Sequence, residues 1–167
     1  MVAFFNLLTF YIGEQLYALA VEPVVQIVSM VTITPIPQAS AIAKGIINVH
    51  GEAVPVVDLC RHLGKSDSHF YYHTPIILIN IKEHLVGLIV DSVSDMLSVP
   101  ATSIVHPSDI LPEGLCTAPL LIGLVYTPEG AVLMLNPDQL FQPDQVRMLA
   151  KASEFLVEGV PSGKLAA

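Results

Sequence analysis

The sequence predicts a mostly β protein made of two small barrels of about five strands each, packed on one another. Three observations lead there. Short apolar runs alternate with turn signals at close, regular spacing, a pattern of small barrels rather than of βαβ units. The pattern occurs twice: Leu85–Leu97 overlays Leu16–Val28 without a gap at an offset of 69 residues, and Val132–Asn136 overlays Val54–Asp58 at an offset of 78. Self-similarity of this kind marks a duplicated unit. Finally, 53% of the 167 residues are hydrophobic and 13% are charged, which is ample apolar material for two cores and inconsistent with disorder.

The elements follow in order. Residues 4–11 read as a strand, Gly13-Glu14 as a turn, and 16–21 as the returning strand. Glu22-Pro23 breaks the run, and proline suits the first position of a short helical turn through Val24-Val25. Residues 26–33 extend again, and Thr34-Pro35-Ile36-Pro37-Gln38 is a proline-stiffened connection. It delivers the chain to Gly45-Ile-Ile-Asn-Val-His-Gly-Glu-Ala-Val-Pro-Val-Val-Asp-Leu59, a hairpin that reverses at Gly51-Glu52. Pro55 has no N–H to give a ladder, which predicts an edge strand or a bulge there. Asp58 ends the strand and caps a short helix over 59–63, closed by Gly64.

The polar stretch 65–73 reads as a linker, after which the pattern starts again. Residues 75–81 form a strand, 82–84 a turn and 85–90 the return, and Asp91 stands where Glu22 stands after Val21. Val105–Pro119, with three prolines, is an irregular loop, and Gly123–Asn136 echoes the Gly45 hairpin. Gln142-Pro143-Asp144 opens a C-terminal helix with Val146, Leu149, Ala150, Leu156 and Val157 as its apolar stripe. The expected organisation is one domain over 1–158, with a first barrel at about 4–70, a second at about 74–140, a helix at about 143–158 and a flexible tail at 159–167.

Charge and composition exclude several function classes. A net charge of −8, with five Lys and two Arg scattered along the chain, argues against nucleic acid as a partner. Charges or prolines interrupt every apolar run short of the roughly 18–20 residues a membrane-spanning helix needs. The start, Met1–Phe5, lacks a basic segment, so no secretory signal is expected; the expected location is the cytoplasm, with no membrane insertion. Cys60 and Cys116 match no zinc or redox spacing and read as buried free thiols. The surplus apolar surface points to partner-binding patches.

Candidate chemistry is sparse. Six histidines carry no ligand spacing with a third donor near, so no metal is expected. No GxSxG elbow and no Walker-type glycine loop occurs, and the Gly45–Gly51 stretch lacks the Lys-Ser/Thr of a phosphate loop. Asp58 is duplicated as Asn136, an amide that caps a helix equally well but is neither acid nor base, so capping is the expected role. No catalytic residue and no cofactor is assigned. A scaffold that presents a surface is the first reading. A small barrel holding a hydrophobic small molecule is the second, and a hydrolase with an unrecognised site is a remote third.

The residues also carry a family likeness. Gly45–Leu59 resembles the GxxNLRGxxxPVxDL signature of CheW-like coupling proteins of bacterial chemosensory arrays. Leu85–Leu97 is similar to that family's VGxxVDxVxDVL segment, and the hairpins at Phe10–Val28 and Leu121–Leu140 match its opening and closing ones. The resemblance, over residues 4 to about 150, implies two SH3-like five-stranded barrels and no enzymatic activity. It implies two partners, the cytoplasmic tip of methyl-accepting chemoreceptors and the regulatory domain of a CheA-type histidine kinase. By matching positions, Val24, Gln26, Gly45, Asn48 and His50 would face the receptor, and Ile27 and Val28 the kinase. His50 replaces the signature arginine and Gln26 the acid that commonly pairs with it, while Cys60 replaces a second arginine beside Arg61. A neutral His50–Gln26 hydrogen bond is expected to fill the space of the ion pair.

Overall fold

A computed structural model gives the fold and describes residues 3–29, 32–35, 43–63, 74–109 and 120–150. The apolar runs form ten strands: β1 (Phe4–Ile12), β2 (Gln15–Ala20), β3 (Val24–Ser29), β4 (Ala43–Val49), β5 (Glu52–Asp58), β6 (Pro75–Ile81), β7 (His84–Ile89), β8 (Ser92–Pro100), β9 (Leu121–Thr127) and β10 (Gly130–Leu135). Two helices accompany them, α1 (Leu59–His62) and α2, helical over 143–150. The expected linker 65–73, most of the loop that follows Val105, the helix beyond residue 150 and the tail 159–167 lie outside the described residues. So do Gly64, Cys116, His69 and His73.

The strands form two five-stranded sheets, ordered β8-β1-β2-β10-β9 and β3-β6-β7-β5-β4. Each sheet belongs to one compact unit. The first holds Met1–Pro23 with Asp91–Leu140, the second Val24–Val90 with Phe141–Ala167. Here the sequence expectation is corrected, because the barrels are not consecutive halves at 4–70 and 74–140. Each is built from the opening hairpin of one repeat and the last three strands of the other. Within each repeat the run is hairpin, single strand, hairpin, and the chain changes unit after the opening hairpin, at Pro23–Val24 and at Val90–Asp91. Local sequence encodes the strands and their turns but not which hairpin completes which sheet.

The duplication nonetheless holds in register. In the first unit β10 lies parallel to β2 with Met134 opposite Ala18, and in the second β5 lies parallel to β7 with Val56 opposite Gly87. Moving Met134 back by 78 residues and Ala18 forward by 69 gives that second pair. Each sheet is also closed in the same way. After β3 the chain bonds to β4 through Thr34 and Ile46, which exchange N–H···O bonds of 2.8 and 2.9 Å. After β8, Val105 and Leu124 exchange two of 2.8 Å with β9. A five-stranded sheet whose edge strands are joined through such a bridge is a small barrel.

Side chains fill both interiors. Leu7, Leu16, Ala18, Val99, Val125, Val132 and Met134 pack together in the first unit, and Ile47, Val54, Val56, Ile76, Leu78 and Ile89 in the second. Burying a Val, Leu or Ile side chain is worth about 1.5–3 kcal/mol, so these clusters are the main stabilising term of each barrel. The carboxylate of Asp91, the acid of the repeated pattern, accepts the N–H of Gly13 and anchors the β1–β2 turn.

Capping is as expected and explains the Asp/Asn pair. Asp58 accepts from the Arg61 N–H at the start of α1, and Asn136 accepts from the Asp138 N–H at the start of the 3₁₀ turn Pro137–Gln139. The Gln145 side chain reaches back 2.8 Å to the Gln142 N–H, half of a capping box, with Pro143 at the first helical position. The His62 ring lies 4.8 Å from that of Phe141, tying α1 to the start of α2.

Two local expectations are corrected. Val24-Val25 is not a helical turn but the start of β3, where a run of β-branched residues prefers the extended backbone. Pro55 is not on an edge: β5 lies between β7 and β4. Its partner Ile46 directs both backbone groups to Thr34, so β4 asks nothing of Pro55. The ladder to β7 begins at Val56, one residue later, and the missing N–H costs no bond.

Candidate functional site

All seven residues singled out in the sequence lie in the second unit. Four sit on β3, which among the described residues pairs only with β6 and forms one margin of its sheet. Val24 pairs with Ile79, and Gln26, Ile27 and Val28 pair with Leu78, Ile77 and Ile76. The register skips Val25, a bulge that turns this side chain outward, 53% exposed. Gln26 and Ile27 are exposed as well, whereas Val28 packs inward against the core. The strand therefore shows solvent a run of Val25, Gln26 and Ile27, with apolar side chains on either side of one amide.

The other three stand on β4 and its turn. Gly45 is buried, and its role is steric, because a β-carbon there would collide with Ile33 and with the Thr34 carbonyl. Gly123 does the same for the first barrel, where an added β-carbon would meet Ile104. Asn48 accepts the Gly51 N–H at 2.8 Å and so stabilises the reversal. Val49 pairs with Glu52, and the two residues between them have φ of +51° (His50) and +87° (Gly51). Positive φ at both positions of a two-residue loop is the type I′ hairpin, whose twist matches that of the strands. The reversal thus falls at His50-Gly51, one residue earlier than expected.

The structure does not join His50 to Gln26. Both are exposed, and neither side chain hydrogen-bonds to the other. The expectation of a neutral bond in place of an ion pair is corrected: an exposed imidazole and an exposed amide gain little by pairing when water serves both. Instead, Gly45 and Asn48 build the barrel, and His50, Gln26 and Ile27 are what it displays.

Sequence reasoning passed over two exposed side chains. Val25 could not be found, since a bulge is not written in the periodicity. Met96, 63% exposed on β8 of the first unit, could have been, because the offset of 69 carries Ile27 onto it. Among the described residues no group of three or more His, Cys, Asp or Glu is placed to hold a metal ion, and Cys60 is buried.

The CheW-like domain model matches residues 6–145, and the chain belongs to that family. It is 27% identical over 150 residues to a chemotaxis protein CheW of Treponema pallidum, covering 87% of each chain. A chemotaxis protein CheW of Rhizobium meliloti is 35% identical over 105 residues, 63% of this chain and 68% of the relative. Among solved structures, the scaffolding protein TtCheW from Thermoanaerobacter tengcongensis superposes with a TM-score of 0.72 at 29% identity, over 83% of this chain and 92% of that one. The two-barrel fold is therefore that of a CheW scaffold.

Proposed function

We propose that this chain is a non-catalytic adaptor that couples chemoreceptors to a CheA-type histidine kinase in bacterial chemosensory signalling. The observation that carries the reading is β3. It is a marginal strand with Val25 and Ile27 turned to solvent on a barrel whose interior is already filled. Apolar side chains held out by a bulge on a rigid sheet form the centre of a protein interface rather than a reaction site. Its relatives are chemotaxis proteins and a scaffolding protein, and scaffolding is work done by surface.

In this reading Gln26 and His50 contact the receptor tip, and Val24, Gly45 and Asn48 hold the strand and turn that carry them. Ile27 and Val28 belong to the kinase-facing side, Ile27 by contact and Val28 by anchoring β3 to the core. The adaptor works in the cytoplasm, beside receptor arrays at the inner membrane. No helix among the described residues is long and apolar enough to cross a membrane, so recruitment runs through protein contacts. Size-exclusion chromatography with a kinase regulatory domain and a receptor-tip helical hairpin tests the proposal. Co-elution of all three is expected, and separate elution at micromolar concentrations would refute it.

A further inference from the structure

The second unit carries a cleft of about 550 Å³. It opens where the β6–β7 turn, the start of β5 and the end of the described part of α2 meet. Its apolar lining includes Val25, Val54, Pro55 and Leu149, and its polar lining is Glu52, Glu83, Asn80 and His84. The volume is in the range of pockets that hold a ligand or several side chains. Glu52 and Glu83 line it and, among the described residues, no lysine or arginine does; Lys82 neighbours Glu83 in the turn but is not part of the wall. Neither Glu52 nor Glu83 has a side-chain hydrogen bond or ion pair among the described residues.

We infer that this cleft is a docking site for a partner protein segment that carries an arginine or lysine between apolar residues. The cation meets Glu52 and Glu83 while its aliphatic neighbours cover Val54, Pro55 and Leu149. Charge complementarity selects the sign, and a guanidinium presents a fork of donors to two carboxylates at once. A peptide is favoured over a free amine because Val25 belongs both to the cleft wall and to the exposed run of β3. An occupant that follows that run is longer than a small molecule. Only this choice of a protein rests on the adaptor reading; the cationic chemistry of the cleft stands apart from it.

The test uses the full chain, ¹⁵N-labelled, titrated with acetyl-Leu-Arg-Leu-amide and with the same peptide carrying citrulline, the uncharged isostere of arginine. The arginine peptide is expected to move the amides of Val25, Glu52, Ala53, Glu83 and Leu85, and to bind at least about tenfold more tightly than the citrulline peptide. The surface double variant Glu52→Gln/Glu83→Gln should abolish that preference while leaving the rest of the spectrum in place. Equal binding of the two peptides, shifts confined to other faces, or no binding would each overturn the inference. Tight citrulline binding in particular would assign the cleft to an uncharged hydrophobic ligand. None of these outcomes bears on co-elution with the kinase, so the two proposals fail separately.

Discussion

A β-carbon on Gly45 would lie 2.5 Å from the carbonyl oxygen of Thr34. That oxygen is fixed, because it accepts the N–H of Ile46 at 2.9 Å in the bridge that closes the second barrel. The glycine is a condition of closure, whereas at Gly123 a β-carbon would meet the Ile104 side chain at 2.5 Å and the closing carbonyl of Val105 only at 3.5 Å. Gly45→Ala is therefore expected to destabilise the protein by about 2–3 kcal/mol in urea unfolding, through overpacking against backbone that has nowhere to go. Unchanged stability would mean that the closing segment is free to move away.

Gly87 answers to Ala18 in the other barrel, yet it cannot take the same methyl group. Its β-carbon would meet Val56 Cγ1 at 2.7 Å and Ile76 Cγ2 at 2.9 Å, whereas Ala18 faces the flexible Met134. Gly87→Ala should cost about 1–3 kcal/mol. Adding Val56→Ala should return part of it, giving a coupling energy of about 0.5 kcal/mol or more in a double-mutant cycle. Strict additivity would contradict the contact.

Asp58 and Asn136 do the same work with different charge. Asp58→Asn is expected to retain most of the cap, and Asp58→Ala to lose about 0.5–2 kcal/mol. Thermal unfolding of the two variants decides it; equal losses would mean that Asp58 matters for its charge.

His50 occupies a left-handed backbone position that asparagine adopts more easily. His50→Asn should raise stability by a few tenths of a kcal/mol, on the order of 0.5, and His50→Ile should lower it by about 1–2 kcal/mol. In the free protein, His50→Arg and Gln26→Glu should be additive in stability within about 0.5 kcal/mol, since no bond joins the two positions. A larger coupling would show that they meet.

Much of this was legible in the residues. The two offsets revealed the duplication, and the parallel pairs Met134–Ala18 and Val56–Gly87 show that the repeat extends to sheet register. The caps at Asp58 and Asn136 were equally plain, because capping depends on one side chain and its own turn. The exchange of hairpins between barrels was not, since every strand of either repeat satisfies the same pattern. Pro55 misled because a proline inside a sheet is tolerated wherever the neighbouring ladder starts one residue late. The site divided along the same line. Gly45 and Asn48 were seen as special but serve the fold, while Val25 depends on a bulge and became visible only in three dimensions.

Coupling itself is the most direct test of the account. Kinase autophosphorylation is measured with receptor-containing membranes, with and without this chain, and with Ile27→Asp, which leaves an exposed position exposed. The receptors should change the kinase rate severalfold only when the chain is present, and Ile27→Asp should abolish the effect with its melting temperature unchanged. A rate that receptors alter equally well without the chain, or not at all with it, would contradict the account.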